Sequence, residues 1–306
     1  MYYDIIIIGA GTAGLTASIY ARRAGKSVLL IEQENFGGQI VYSPLVENYP
    51  GVASVSGNAF ADSLLSQAEA LGAVTELAAV TGVSKAPDGT FKVQTEYGDF
   101  TAGALIAATG ASHRKLGLDR EEELTGSGVS YCALCDGAFF KGRDVAVAGG
   151  GDTACQDAVF LAGLCRKVYV VHRRDQFRAE QRNVDMLRSL PNVELVLNAR
   201  VTELKGGSEL TGVNVTDTLT GAVRALDVAA LFVAVGQIPA TGLFSNMLEL
   251  DRRGYIVAGE DTRTGVPGLF AAGDVRTKSV RQLTTAAADG AVAATEACRF
   301  LRESGR

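Results

Sequence analysis

Cys132 and Cys135 stand three positions apart in the segment Cys132-Ala133-Leu134-Cys135-Asp136-Gly137. Two thiols at that spacing close a small disulfide ring, and the same motif commonly lowers a thiol pKa enough for thiol–disulfide exchange. The competing chemistry is zinc. A structural zinc site normally takes four ligands, yet Cys155, Cys165 and Cys298 are isolated and His113 and His172 are the only histidines. A redox pair is therefore expected. Cys155 and Cys165 lie ten residues apart on one expected helix, so about 80° apart around its axis, and read as core residues rather than a second chelating pair. Asp136, next to the second thiol, suits proton transfer to or from a sulfur, but Asp-Gly is also ordinary turn chemistry, and the two readings weigh equally. His113 has no catalytic partner near it and is expected to be a linker residue.

A second cluster is cationic: His172-Arg173-Arg174, then Arg178. It follows the apolar run Lys167-Val168-Tyr169-Val170-Val171, at the strand end where dinucleotide-binding folds recognise the ribose. Arginines there suit a 2′-phosphate, so the unit is expected to take NADPH. The alternative is a solvated helix face.

The elements that must carry these residues are legible as a repeat. Tyr3-Asp4-Ile5-Ile6-Ile7-Ile8 is an expected strand, Gly9-Ala10-Gly11-Thr12-Ala13-Gly14 a glycine turn, the alanine-rich stretch to Ala24 a helix, and Ser27 to Glu32 a second strand. In such a βαβ unit the first glycine makes the tight turn, the second admits a pyrophosphate and the third lets helix and strand pack. Glu32 stands where a carboxylate accepts ribose hydroxyls. The pattern returns at Asp144 to Ala148, Gly149-Gly150-Gly151-Asp152-Thr153-Ala154 and Lys167 to Val171, with Asp4 matching Asp144 and Gly11 matching Gly151. Two copies imply two dinucleotide sites.

Ala104 to Gly110, Leu231 to Gly236 and Leu269 to Asp274 are further apolar runs ending in small residues, as buried strands beside nucleotides would. An alanine-rich helix follows Arg281-Gln282-Leu283 and is expected to run to about Leu301. Its positive N-terminal end suits a reduced flavin ring. The expected fold is α/β, with two Rossmann-like dinucleotide-binding domains, one inserted into the other: 1–113 and 243–306 form the first, 114–242 the second.

With 306 residues, 47% of them hydrophobic, the chain is long enough for about two domains. A net charge of −5 gives no general attraction to nucleic acid or anionic membrane. Met1 to Tyr3 lead straight into the first strand without a charged leader or long apolar segment, so a cytoplasmic location is expected. Five cysteines, scattered and odd in number, make no secreted disulfide framework.

In their order along the chain, these segments resemble the low-molecular-weight thioredoxin reductases over essentially the whole length. The matching stretches are Gly9–Gly14, Gly37-Gly38-Gln39, Val46 to Gly51, Ala108 to Ser112, Cys132–Gly137, Gly149–Ala154, His172 to Asp175 with Phe177-Arg178-Ala179, and Phe270 to Val275 with Arg281-Gln282. The resemblance implies FAD held non-covalently by Gly9, Gly11, Ala13, Gly14, Glu32, Gln33, Gly38, Gln39, Asn48, Thr109, Gly110, Gly273, Asp274, Arg281, Gln282 and Leu283. It implies NADPH held by Gly149, Gly151, Asp152, Thr153, His172, Arg173, Arg174, Arg178 and Gly236. Electrons would pass from NADPH through the flavin to the Cys132/Cys135 pair and on to thioredoxin or a thioredoxin-like protein. Cys135 would lie nearer the flavin, Asp136 would be the acid, and the chain would form a homodimer. The departures are Asp152-Thr153 in the second glycine turn and Gln237-Ile238, where a basic or polar and then a small residue are expected. Three rivals remain open: another disulfide partner, a dithiol oxidase passing electrons to oxygen, and a flavin-bound module without turnover.

Overall fold

A computed structural model describes residues 1–306, which divide into two compact units, Met1–Ser112 with Ile238–Arg306, and His113–Gln237.

In the first unit β1 (Tyr2–Ile8), α1 (Thr12–Arg23) and β2 (Val28–Glu32) form the expected βαβ element. There follow α2 (Gly57–Ala70), β3 (Val74–Leu77), β4 (Val80–Lys85), β5 (Phe91–Thr95) and β6 (Gly98–Ala107). The sheet runs β3-β2-β1-β6-β5-β4, and a late strand, Leu269–Ala271, adds in parallel beside the C-terminal half of β6. Around β1 every pairing is parallel, and β4, β5 and β6 are antiparallel. Side chains alternate across a strand. Ile5 and Ile7 therefore enter one core with α1 and the C-terminal helix, while Ile6 and Ile8 enter another with Phe91, Phe244 and Ile256.

The second unit is entered through β7 (Ala111–His113) and contains β8 (Val129–Ser130), the one-turn α3 (Ala133–Asp136), β9 (Asp144–Gly149), α4 (Asp152–Ala162), β10 (Lys167–Val171) and α5 (Gln181–Ser189). Next come β11 (Val193–Val196), the antiparallel meander β12 (Ala199–Gly206), β13 (Leu210–Asp217) and β14 (Val223–Leu226), then β15 (Ala230–Ala234), after which β16 (Gln237–Pro239) carries the chain back into the first unit. Its parallel sheet has the order β11-β10-β9-β15-β8. Val145 and Val147 of β9 pack towards α4 and α5, and Ala146 and Ala148 pack towards the meander. The chain then completes the first unit with β17 (Leu269–Ala271) and α6 (Leu283–Glu303).

Three boundaries differ from the sequence-based expectation. His113, expected to end the opening segment of the first domain, falls in the inserted unit. Residues 238–242 were assigned to the inserted domain, but they belong with the first unit: Ala240 N donates to Gly110 O at 3.0 Å, and Thr241 Oγ1 donates to Gly254 O at 3.0 Å. The helix carrying Cys155 ends at Ala162, so Cys165 lies beyond it. Both thiols are nonetheless buried in one core, and burial pushes Cys155 up to about 11. No helix is long and apolar enough to cross a membrane.

Candidate active site: two dinucleotide cradles and a redox disulfide

In the first unit the glycines of 9–14 divide by task. Gly9 has φ +101°, and a Cβ on it would stand 2.3 Å from Ala108 O; on Gly14 it would stand 1.8 Å from Gly9 O. Those two are demanded by the fold itself. At Gly11 the nearest atom to a Cβ is Gly37 O at 3.8 Å, so the smallness of this residue serves something outside the chain, as an approaching pyrophosphate requires. Glu32 spans the turn: one carboxylate oxygen accepts from Ala10 N at 2.8 Å, the other from Gln33 N at 2.9 Å and Glu34 N at 3.0 Å. Gly37 N donates to Ala10 O at 2.8 Å, which brings Gly38 against Gly11, while the neighbouring Gln39 is exposed. At the other edge Thr109 Oγ1 donates to Ala240 O at 2.7 Å and Gly110 adopts φ +70°.

The start of α6 closes this cradle. Gln282 caps the helix in a capping box with Thr285 and accepts from Asn48 Nδ2 at 3.2 Å. Leu283 is the first helical residue. Arg281 lies 4.1 Å over the Tyr255 ring and donates to the carbonyls of Arg276, Lys278 and Asp274. Gly273 has φ +78° and a Cβ there would come within 2.9 Å of Ala13 Cβ, so the strand-end turn lies directly on the glycine turn of α1. Asp274 is the unusual member. Its Oδ1 is buried without a hydrogen-bond partner, and burial pushes its carboxyl up despite the nearby Lys278 and Arg281. A buried acceptor left alone costs about 1–3 kcal/mol. A ligand hydroxyl would relieve that cost, and a dinucleotide with a polyol chain, as FAD has, fits this cradle.

In the second unit Gly149 and Gly150 are likewise forced: a Cβ would meet Ala234 O at 2.5 Å and the His172 ring at 2.1 Å respectively. Gly151 has nothing within 4 Å and again faces open space. Asp152 Oδ1 accepts from Glu180 N and Asn183 Nδ2, each at 2.8 Å, tying the start of α4 to α5, with Thr153 exposed beside it. Arg173, Arg174 and Arg178 are exposed, and their guanidinium groups carry no hydrogen bond or ion pair. The Arg178 backbone N donates to Gly150 O at 2.8 Å, so the arginines and the glycine turn are held as one piece. Gly236, φ +118°, accepts from Arg114 N at 3.0 Å.

His172 behaves differently from its expected place in the cationic cluster. It is 5% exposed, stacks on Phe177 at 5.2 Å and pairs Nε2 with Gln176 O. Burial and the three neighbouring arginines hold its pKa below the usual value, so at neutral pH it is an uncharged packing residue under Gly150 and does not add positive charge.

The redox pair is closed as a disulfide between Cys132 and Cys135, with Cα atoms 5.3 Å apart. The turn α3 that spaces them begins at Cys132, whose Sγ accepts from Cys135 N at 3.2 Å. Asp136, at the end of the turn, is largely buried, and burial pushes its carboxyl up; a hydrogen bond from Ser130 partly offsets this. Ser130 Oγ donates to Asp136 Oδ2 at 2.6 Å and accepts from Cys132 N at 3.1 Å. Ser130 carries no signal in the sequence, because a serine at a strand end is common and only the turn of α3 folds Asp136 back over it. Beside it, Tyr131 stacks on His113 at 5.0 Å and donates to Glu121 Oε1 at 2.8 Å. His113 is thus packed, and burial pushes its pKa down.

The pyridine nucleotide-disulphide oxidoreductase family pattern matches residues 3–290. The thioredoxin reductase of Listeria monocytogenes is 45% identical over 98% of this chain and 94% of its own length. That of Treponema pallidum is 43% identical, covering 98% and 97%. The crystal structure of thioredoxin reductase from Streptococcus pyogenes superposes with a TM-score of 0.94 at 39% identity, covering 99% of each chain.

Proposed function

Because the chain belongs to the pyridine nucleotide-disulphide oxidoreductases, and among them to the thioredoxin reductases, it is an FAD- and NADPH-dependent thioredoxin-disulfide reductase, and we propose that Cys132, Cys135 and Asp136 carry its reaction. FAD, when bound, supplies the relay that turns the hydride of NADPH into an electron pair for sulfur. The observation that carries the residue assignment is a closed disulfide next to a buried carboxyl, in the unit that also bears the second nucleotide cradle.

Two electrons entering the disulfide break the Sγ–Sγ bond and leave two sulfurs at the thiolate level. Asp136 gives its proton to one, solvent reprotonates Asp136, and the other sulfur stays a thiolate. Burial makes the Asp136 carboxyl hold a proton more readily than an exposed aspartate, and Ser130 keeps the group beside the Cys132 backbone. The Cys135 N–H directed at Cys132 Sγ favours a thiolate there, so Cys132 is the attacking sulfur. It forms a mixed disulfide with thioredoxin and releases one partner thiolate. Cys135 then displaces the partner's second sulfur and restores the starting disulfide.

Gly151 at the N-terminus of α4 would admit the pyrophosphate of NADPH, and the exposed Arg173, Arg174 and Arg178 would hold its 2′-phosphate. FAD would be held by the glycine turn 9–14, Glu32, Gly38, Asn48, Thr109, Gly110, Asp274 and the 281–283 segment. The disulfide and the nicotinamide cradle belong to one unit and the FAD cradle to the other. Each must reach a single flavin ring, so we assign a turn of the inserted unit about its two crossings. A homodimer in the cytosol completes the proposal, supported by family membership and by the three free thiols, which suit a reducing compartment.

The test is anaerobic NADPH oxidation by the FAD-loaded protein with oxidised thioredoxin as the only acceptor. Thioredoxin sits near about −270 mV, within reach of a nicotinamide donor. Thioredoxin-dependent turnover that drops with NADH supports the assignments. Fast oxygen uptake with added dithiol, and none with NADPH, would point to a dithiol oxidase instead.

A further inference from the structure

Beneath the FAD cradle lies a group of charges for which the reaction has no use. Asp289, on the second turn of α6, is 6% exposed and accepts four hydrogen bonds: Gly273 N at 2.9 Å, Arg276 Nε at 2.8 Å, Arg276 Nη2 at 2.6 Å and Lys278 Nζ at 2.9 Å. Arg276 is 7% exposed and engages it as a two-pronged fork, and the Lys278 side chain is equally buried. Burial alone would push the Asp289 carboxyl up, but Arg276 and Lys278 outweigh it and hold it below the usual range.

Asp274 stands within the same turn, and the charges of Lys278 and Arg281 act on its carboxyl. Lys278 is thus a buried cation within reach of both carboxylates, while Arg281 spends its hydrogen bonds on backbone carbonyls. The bonds are not shared evenly: Asp289 takes Arg276 and Lys278, while Asp274 Oδ1 is left buried with no partner. Were Asp289 uncharged, Lys278 would lose its counter-ion, and Asp274 would be the remaining carboxylate for it to pair with. A buried cation without a partner is strongly disfavoured, so the ammonium group would move to Asp274.

We propose that Asp289 is a positioning residue for FAD: by engaging Arg276 and Lys278 it keeps the Lys278 ammonium off Asp274 Oδ1, which stays available to a hydroxyl of the cofactor's polyol chain. This rests on the assignment of Asp274 to FAD. The same carboxylate fixes the Gly273–Lys278 turn through Gly273 N, so availability and placement are set together.

The experiment measures flavin release from the holoenzyme on dilution, read by flavin fluorescence, for wild type, D274A, D289N, K278M and D289N/K278M. D289N is expected to raise the FAD dissociation constant about tenfold or more, the scale of one charged pair lost from a buried network. Removing the freed cation in D289N/K278M should bring it back to within about threefold of K278M alone. That rescue separates positioning from a general loss of fold, because deleting a second buried group would otherwise weaken the protein further. Wild-type affinity in D289N overturns the proposal, as does a loss that K278M does not relieve. If D289N does not fold, the double variant against K278M decides: equal affinities support the idea, and a tenfold gap overturns it. D274A binding FAD like wild type would refute the underlying assignment, whatever D289N does.

Discussion

Ser130 Oγ donates a 2.6 Å hydrogen bond to the carboxylate of Asp136, a group that burial otherwise drives towards its protonated form. The hydroxyl therefore tempers the acid and also, through its 3.1 Å bond from Cys132 N, holds the disulfide turn beside it. Asp136→Asn should lower the rate of disulfide reduction by about 10²–10⁴-fold, the usual worth of a placed acid. Ser130→Ala removes the contribution that lowers the Asp136 pKa. The limb of the kcat profile that falls as the acid deprotonates should then move to higher pH, which a pH series on the two proteins measures.

Cys135→Ser should abolish thioredoxin reduction yet leave the protein yellow. The disulfide and the FAD cradle draw on different residues, so the flavin absorbance per chain should equal that of wild type. Retained thioredoxin turnover in this variant would remove the redox pair from the mechanism.

Arg173, Arg174 and Arg178 present guanidinium groups with no partner in the protein. Replacing each with glutamine should raise KM for NADPH by about 10- to 100-fold, the scale of one charge-assisted hydrogen bond. KM for NADH should stay where it was. Equal changes for both nucleotides would mean that the arginines do not meet the 2′-phosphate.

Gly151→Ala tests what a glycine is for. Its φ of −102° is open to any residue, and the added Cβ meets no atom within 4 Å. Thermal stability and flavin content should therefore hold while NADPH affinity falls, because the methyl group would stand where the pyrophosphate approaches. Gly14→Ala, with its Cβ 1.8 Å from Gly9 O, should instead fail to fold or to load flavin.

Asp157, on α4, is largely buried, has no hydrogen-bonding or ionic partner, and is pushed up by burial to about 6 from an ordinary value of 3.8. Its folded pKa is the raised one. Relative to the unfolded chain, the buried carboxyl favours folding in its neutral form at low pH, and that advantage is lost as pH rises through about 6. Asp157→Asn should match wild type near pH 4 and be more stable above pH 6, by up to about 3 kcal/mol. Denaturant melts at the two pH values give the comparison.

Much of this protein is written locally. A strand, a glycine turn, a helix and a second strand are neighbours in sequence, so both βαβ units, Gly11 and Gly151 at their open positions, the arginines after β10 and the Cys132/Cys135 spacing were legible from residue types and period alone. Other features depend on chain segments meeting. The return to the first unit falls at 238 rather than 243 because Ala240 and Thr241 find their hydrogen bonds with Gly110 and Gly254. His172 looked like one more cation in a basic run, and the packing of Phe177 and Gly150 around its ring, with the arginines beside it, pushes its pKa further down. Ser130 under Asp136, and Asp289 between Gly273, Arg276 and Lys278, have no sequence signature. The sequence by itself determined two dinucleotide-binding units, a cationic strand end suited to NADPH in the second and a closely spaced cysteine pair, because short-range geometry and residue chemistry suffice for that, whereas FAD was implied by the family resemblance. Tertiary structure alone decided which charges are neutralised, which carboxyls have their pKa pushed up and which stays free of a partner, because burial and ion pairing arise only when distant segments exclude water together.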